Sequence, residues 1–296
     1  MENRKSIGHI AALITIIIWG TTFISTKVLL SSFQPIEILF FRFVMGLVTL
    51  IIVYPKRLKG TNTKQELTFA AAGLSGITLY YLLENIALTY TMASNVGVII
   101  SIAPFFTAAL SYFLSKRADK LSVSFFVGFS IAMSGICLIS FSQSKFEINP
   151  IGDILAVIAA LVWAVYSLLT KKIGGFGFSA ILTTRRVFTY GVLFMLPTLL
   201  FFDFKWDFAR FADTSNMANL IFLGVGASAI CFVTWGYAVK YLGAVKTSTY
   251  IYMVPVITVT ASALILKEQI TIQIIIGTIL TLAGLLLSEL KLVLFQ

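Results

Sequence analysis

Charged residues are scarce in this chain of 296 residues. Only 11% of the residues are Asp, Glu, Lys or Arg, whereas 58% are apolar, and a soluble domain carries about 25% charged residues. So little polar surface cannot cover a water-soluble globule, and the excess apolar surface is expected to face lipid. Backbone groups in lipid must bond to one another, which leaves helices or a closed barrel. Unalternating runs of Leu, Ile, Phe and Ala predict helices.

Histidine and cysteine are almost absent. The single histidine, His9, has no second metal ligand near it in the sequence, and Cys137 and Cys231 both lie inside apolar runs. We predict that these thiols are buried and structural rather than disulfide partners or metal ligands. The sequence therefore predicts no metal and no cofactor.

Residues that an enzyme or a nucleotide-driven pump would need are also missing. The Asp residues stay in predicted loops and helix ends, and no Gly-rich loop ends in Lys-Ser or Lys-Thr. Metal-assisted catalysis and ATP-driven transport by this chain are therefore disfavoured. A passive channel is disfavoured as well, because no span shows a continuous polar stripe. We do not expect an enzyme.

Ten apolar stretches are long enough to cross a bilayer. They cover about 8–28, 35–54, 67–88, 93–114, 121–141, 151–171, 179–200, 217–239, 246–265 and 270–290. With these spans, thirteen cations fall on the side of the two termini and five on the other side. The positive-inside rule then predicts that both termini are cytoplasmic. Contact of this basic rim with anionic lipid accounts for the net charge of +10 without a nucleic acid partner.

The chain divides into two halves that repeat one another. The residues that recur, as first and second copies, are Trp19 and Trp163, Lys27 and Lys171, Arg42 and Arg186, and Pro104 and Pro255. Because each half holds five spans, an odd number, the second half is expected to insert upside down. We predict two inverted repeats, 8–141 and 151–290, which is the usual plan of a secondary transporter.

Small residues recur in the last span of each half. They are Gly128, Ala132 and Gly135 in the first half and Gly277, Thr281 and Gly284 in the second. Spacings of four and three place them on one helix face, where backbones can approach closely. We predict that both faces serve packing and do not contact solute.

The order, spacing and duplication of these motifs resemble the drug/metabolite transporter superfamily, specifically its ten-helix EamA type. The marks are Trp19-Gly20-Thr21-Thr22-Phe23 with Lys27, Phe41-Arg42-Phe43, Ala87-Leu88-Thr89-Tyr90 with Pro104, Tyr237-Ala238-Val239-Lys240-Tyr241, Pro255 and Lys267-Glu268. The family pattern places a Glu after the fourth helix of each repeat. This chain keeps Glu268 but has Arg117 at the first-half position.

The resemblance implies both a fold and a function. It implies an all-α membrane protein with ten transmembrane helices, arranged as two inverted five-helix repeats around a central cavity. It implies export of small metabolites such as amino acids across the bacterial inner membrane by alternating access, with protons as a candidate coupling ion. A multidrug or organic-cation exporter of the same fold is the alternative, and monomer and homodimer are both open.

Four ionisable side chains stand out within the predicted spans, where a charge costs about 2.5–3.5 kcal/mol at the midplane. We predict that Arg42 and Glu84, at similar depth, interact directly or through water, with Glu84 facing the cavity as the proton-coupling candidate. A purely structural pair is the alternative. The repeat mates Arg42 and Arg186 are predicted to be structural charges. Arg186 and Arg185 are expected to reach lipid head groups or the carbonyls of a neighbouring helix.

Aromatic and small polar residues complete the predicted solute site. Besides Glu84, the candidates are Trp19, Thr22, Tyr80, Tyr81, Asn95, Ser101, Trp163, Tyr166, Trp235 and Tyr250. Aromatic faces would suit an aromatic or amphipathic solute or a cation, although packing or an interface belt is the other interpretation of such residues.

Two prolines and one lysine complete the set. Pro104 and Pro255 stand at matching places inside spans, so we interpret them as hinges for alternating access, with static kinks as the alternative. Lys246 at the start of the ninth span either contacts a solute carboxylate or anchors the helix at the head groups.

Overall fold

Ten helices joined by short connections make up the part of the chain that the computed structural model describes, which is residues 2–114, 123–140, 150–201 and 204–289. They are α1 (Glu2–Leu29), α2 (Pro35–Val53), α3 (Thr63–Tyr90), α4 (Ala93–Leu114), α5 (Val123–Ser140), α6 (Pro150–Gly174), α7 (Ala180–Thr198), α8 (Thr214–Leu242), α9 (Ala244–Leu266) and α10 (Ile272–Glu289). No strand occurs within those ranges. The all-α prediction with ten spans is confirmed.

Membrane-spanning character is clear for most of these helices. Seven of the described helices are long and apolar enough to cross a bilayer, and α5 and α10 contain shorter apolar stretches, Phe126–Gly135 and Ile272–Gly284. We name the end of the bundle where α1 begins the near face, and the end where α1 stops the far face. Successive helices run in alternating directions between these two faces.

The packing partners of corresponding helices lie in opposite halves of the chain, as an inverted repeat requires. Helix α1 packs against α8 and α9, and its second-half counterpart α6 packs against α3 and α4. In the same way α2 packs against α8 while α7 packs against α3. Helices α4 and α9 meet each other, as do α5 and α10. Each contact between the halves therefore has a reciprocal partner, as expected for two repeats related by a pseudo-twofold axis.

The small residues of α5 and α10 serve packing, as predicted. A Cβ added to Gly135 would lie 2.5 Å from the carbonyl oxygen of Gly277, and a Cβ on Gly284 would collide with the backbone of Gly128 and Ala132. Without the hydrophobic effect between lipid-facing helices, such close backbone approach is a main source of association. The Cys137 side chain lies outside the described residues, and Cys231 is a buried free thiol.

Irregular backbone interrupts the helices that surround the centre of the bundle. Helix α3 contains a π segment at Leu74–Leu79, and α8 contains one at Phe222–Ile230, the matching place in the second repeat. In α4 a turn at 101–102 precedes Pro104, and in α9 a 3₁₀ segment, Thr249–Met253, precedes Pro255. Proline lacks the N–H that would continue the preceding helix. Hinge action by these prolines stays a prediction.

At the far face, two charged side chains hold the connection between α3 and α4. Lys27 Nζ donates to the carbonyl oxygens of Leu88 at 2.5 Å and Thr91 at 2.9 Å. The Glu268 carboxylate accepts from the backbone N–H groups of Ala93 at 3.2 Å and Ser94 at 3.4 Å. Lysine thus satisfies the last carbonyls of α3, and glutamate the first amides of α4. Arg117, at the position related to Glu268, lies outside the described residues.

The far face also contains a buried ion pair between α2 and the loop that precedes α8. Glu37 is fully buried, and its Oε2 lies 2.7 Å from Arg210 Nη1. The carboxylate also accepts from the backbone N–H groups of Gln34 and Lys205, each at 2.7 Å. The hydrogen bonds that Arg210 donates to Glu37 raise the pKa of Arg210 above its ordinary value.

Arginines at the near face connect α7 to the first repeat. Arg185 donates to the carbonyl oxygens of Tyr54, at 2.8 Å, and Lys56, which follow the end of α2. Arg186 Nη2 instead lies 3.3 Å from Glu66 Oε1 at the start of α3. The sequence did not indicate this partner, because nothing in it shows that α3 packs beside α7.

Candidate solute-binding site

A small cavity lies in the middle of the bundle, among α1, α3, α4, α6 and α9. Its polar and aromatic wall consists of Trp19, Thr22, Tyr80, Tyr81, Glu84 and Trp163, and Ile16, Phe23, Ile100, Ile251 and Val254 complete it. The free volume is about 30 Å³, enough for about one or two water molecules. The rings must therefore separate before a solute enters.

The cavity wall is an aromatic cluster built around the two repeat-mate tryptophans. The rings of Trp19 and Trp163 meet edge to face with centroids 5.1 Å apart, and Tyr80 lies 4.8 Å from Trp163. These tryptophans meet because α1 and α6 are related helices on opposite sides of the pseudo-twofold axis. Trp19 Nε1 donates to the Ala227 carbonyl oxygen at 2.9 Å, whereas Trp163 Nε1 has no hydrogen-bond partner.

Glu84 supplies the one carboxylate of this wall. Its side chain is 1% exposed, and its Oε1 has no hydrogen-bond partner in the described part of the chain. It stands one helical turn beyond Tyr80 and Tyr81, because α3 returns to regular α-helix after its π segment. The groups that interact with the carboxyl electrostatically are the Tyr80 hydroxyl and the Arg42 guanidinium.

Arg42 is fully buried but does not form an ion pair with Glu84 at 4.0 Å or less in the described structure. Its Nε donates to Ser228 Oγ at 3.2 Å, and its guanidinium lies 4.3 Å from the ring centre of Tyr81. These contacts hold the guanidinium beside Tyr81 rather than against the carboxylate. The predicted interaction with Glu84 is thus electrostatic and longer than an ion pair.

Five of the predicted solute contacts lie outside this wall. Asn95 donates to Thr91 Oγ1 at 3.2 Å, and Ser101 donates to the Val98 carbonyl at 2.5 Å. Asn95 thus bonds to the α3–α4 connection and Ser101 to its own helix, and such local hydrogen bonds are common for Asn and Ser.

The other three are aromatic residues placed around the cavity. Trp235 packs behind Trp19, with ring centres 5.1 Å apart. Tyr250 lies towards the near face, where its hydroxyl is 2.5 Å from His9 Nδ1. Tyr166 packs against Trp163 at 4.9 Å and lines a second cavity.

This second cavity lies towards the near face, between α6, α7 and α8. Its wall includes Thr170, Thr183, Thr184, Phe232 and Lys240, and its free volume is about 30 Å³. The sequence interpretation missed Thr183 and Thr184, although a pair of hydroxyls in an apolar span is a usable signal. It also missed Phe232, which cannot be told from packing residues in a helix that is apolar on most sides.

Two rings separate the two cavities. Tyr166 and Phe232 are 5.8 Å apart between ring centres, and Phe232 also contacts Trp19 at 5.5 Å. A solute that passed from the near face to the centre would have to displace this pair. Of the described residues, no group of three His, Cys, Asp or Glu could hold a metal ion.

Comparison with known proteins relates the whole chain to transporters. The sequence profile of the EamA-like transporter family matches residues 6–141 and again 150–290. An uncharacterized transporter of Archaeoglobus fulgidus is 27% identical over 297 residues, covering 98% of this chain and 99% of that protein.

A relative from Streptantibioticus cattleyicolor, named "Probable terminal-alkyne amino-acid exporter", is 26% identical over 283 residues, covering 94% of this chain and 91% of that protein. One solved crystal structure shares the fold with a TM-score of 0.69 at 17% identity, covering 97% of this chain and 99% of that one.

Proposed function

Since the chain belongs to the EamA-like transporter family, we propose that it exports small amphipathic metabolites such as amino acids across the bacterial inner membrane by alternating access. The observation that supports this most is the central cavity, where aromatic faces and the carboxylate of Glu84 meet between the two repeats. Ring faces attract an apolar side chain or a cation, and a carboxylate attracts an ammonium group.

The direction and the orientation belong to the same proposal. With both termini in the cytoplasm, the near face is cytoplasmic and the second cavity, with Lys240 at its rim, is the entrance for solute. The far face, held by Lys27 and Glu268, is then the exit. Alternating access moves the central cavity from one face to the other, with irregular backbone next to Pro104 and Pro255 as the place of bending.

Proton coupling through Glu84 is the second part of the proposal. The carboxyl is buried at the centre, and one oxygen has no partner, so it can bind either a proton or a cationic group of the solute. Competition between the two would couple proton movement to solute movement in opposite directions.

The test is transport by the purified protein in proteoliposomes. We expect acidification of one side to change the flux of a labelled amino acid several-fold in the wild type, and Glu84→Gln to remove this response. Asp207→Asn, a change in the exposed far-face loop, is the matched control and should behave as the wild type. A Glu84→Gln protein that keeps the full pH response would refute the coupling role.

A second candidate is export of organic cations. It is favoured by the absence of any ion pair to Glu84 within 4.0 Å in the described chain, which leaves the carboxylate open to a cation among aromatic rings. Competition between amino acids and organic cations for uptake into proteoliposomes separates the two candidates.

A further inference from the structure

We propose that Arg42 binds the carboxylate of the solute, so that the transported molecules are zwitterionic amino acids whose ammonium group lies at Glu84. This inference rests on the proposed function and narrows its substrate class. The observation that carries it is a buried guanidinium: Arg42 is 0% exposed, and neither its Nη1 nor its Nη2 has a hydrogen-bond partner among the described residues.

An unpaired guanidinium at this depth needs an anion. Charged side chains inside a membrane are costly, and they are almost always paired or directed at a pathway. The pairs made by the other structural arginines illustrate the rule. Arg186 pairs with Glu66 at 3.3 Å, and Arg210 pairs with Glu37 at 2.7 Å. Arg42 has no carboxylate of the described protein within 4.0 Å.

The surroundings of Arg42 leave two of its three guanidinium nitrogens without a hydrogen-bond partner among the described residues. Its plane lies beside two rings, with Cζ 4.3 Å from the centre of Tyr81 and 5.2 Å from that of Phe43. Its Nε is used by Ser228 at 3.2 Å. Only the edge formed by Nη1 and Nη2 remains. Two parallel N–H groups on this edge match the two oxygens of a carboxylate, which is the geometry that arginine binds best.

Tyr81 connects Arg42 to the central cavity. Its ring belongs to the cavity wall and also contacts the guanidinium. The proposal therefore requires this ring to move aside when the solute binds. Glu84 lines the same cavity with its unpartnered Oε1. An anion in the cavity wall and a cation behind the Tyr81 ring of the same wall, not paired with each other within 4.0 Å in the described chain, fit the two charges of an amino acid.

The aromatic wall suggests the probe. L-phenylalanine carries both charges and a flat side chain, its methyl ester lacks the carboxylate charge, and N-acetylphenylalanine lacks the ammonium charge. In competition for labelled L-phenylalanine on purified wild type, we expect the ester to bind about tenfold to a hundredfold more weakly, because its neutral carbonyl oxygen accepts from the guanidinium more weakly than a carboxylate does. The N-acetyl compound should also bind weakly, since it cannot satisfy Glu84.

Variants of Arg42 test whether this residue causes the preference for the free acid over the ester. In Arg42→Gln, binding of L-phenylalanine should fall to the level of the ester, and the difference between acid and ester should vanish. Arg42→Lys keeps the positive charge but lacks the two parallel N–H groups, so it should retain part of the difference between acid and ester. Arg186→Gln, at the repeat mate, should leave the difference between acid and ester unchanged.

Two outcomes would overturn the inference, and they differ in what they say about transport. If wild type takes the methyl ester as well as the free acid, Arg42 does not bind carboxylate, while transport of a cation through the cavity stands. If neither compound competes and no amino acid is transported, the proposed function fails together with the inference.

Discussion

Replacement of Gly76 by alanine tests the packing around the cavity most sharply. A Cβ on Gly76, in the π segment of α3, would overlap Cγ and Cδ2 of Tyr166. Those atoms lie next to the tyrosine backbone, and the ring is enclosed by Trp163 and Phe232. Because the ring cannot rotate away, α3 and α6 must move apart. Overpacking of this kind costs about 1–3 kcal/mol.

Gly226→Ala is the matched control, because Gly226 also lies in a π segment, that of α8. The nearest atom to its added Cβ is Phe222 Cδ2 at 3.7 Å, an ordinary contact. Alanine in place of helical glycine contributes about 0.5–1 kcal/mol of stability, so this variant should be neutral or slightly more stable.

Thermal unfolding in detergent, followed by tryptophan fluorescence, measures the difference between the two variants. We expect Gly76→Ala to melt at least about 2 °C below Gly226→Ala, because one kcal/mol corresponds to about 2–4 °C for a chain of a few hundred residues. Equal melting temperatures would refute the close contact between α3 and α6, and with it the position of Tyr166 between the two cavities.

Two further predictions concern the far face. Arg210→Ala leaves the buried Glu37 carboxylate without its 2.7 Å partner and should lower the free energy of unfolding by about 3 kcal/mol. Arg57 is exposed, so the control Arg57→Ala should change this free energy by less than about 0.5 kcal/mol. Equal losses of stability in thermal unfolding would contradict the role of the Arg210–Glu37 pair. Lys27→Met removes the bonds to the Leu88 and Thr91 carbonyls. It should make the far end of the cavity more accessible, which hydrogen exchange would detect as faster exchange in the α3–α4 connection. Unchanged exchange would contradict the role of Lys27 in holding this connection.

The sequence was sufficient to predict the fold, because a chain that spans lipid can adopt few architectures. Apolar length predicts spans, and the recurrence of Trp19 as Trp163 and of Pro104 as Pro255 predicts the repeat. The glycine spacing in α5 and α10 predicted that these faces serve packing, but it did not show that the two helices pack against each other. The paired π segments were not predicted, because no residue type marks them and they depend on packing between helices.

For the candidate site, the sequence predicted which helices face inward better than which atoms meet. The cavity wall contains Trp19, Trp163 and Glu84, because they occupy the central faces of helices that meet at the pseudo-twofold axis. Tyr250 lies outside this wall, because its hydroxyl is held by His9 at the near face. That contact joins residues 241 positions apart, and such pairings cannot be read from spacing along the chain.

The Arg42 and Glu84 pair shows the same limit. Similar depth predicted an interaction, but the distance and the free edge of the guanidinium depend on Tyr81 and Ser228, which come from α3 and α8. The position of a charged residue along its span therefore predicts its depth in the membrane. Whether two charged residues pair depends on how the helices pack.

The most direct test of alternating access at the central cavity is labelling of a single cysteine there. Thr22→Cys, in a chain with Cys137→Ser and Cys231→Ser, places one thiol in the cavity wall. A membrane-impermeant maleimide applied to vesicles of each orientation should modify it from both sides, more slowly when a transported amino acid is present. Modification from one side only, or rates that no solute changes, would contradict the account.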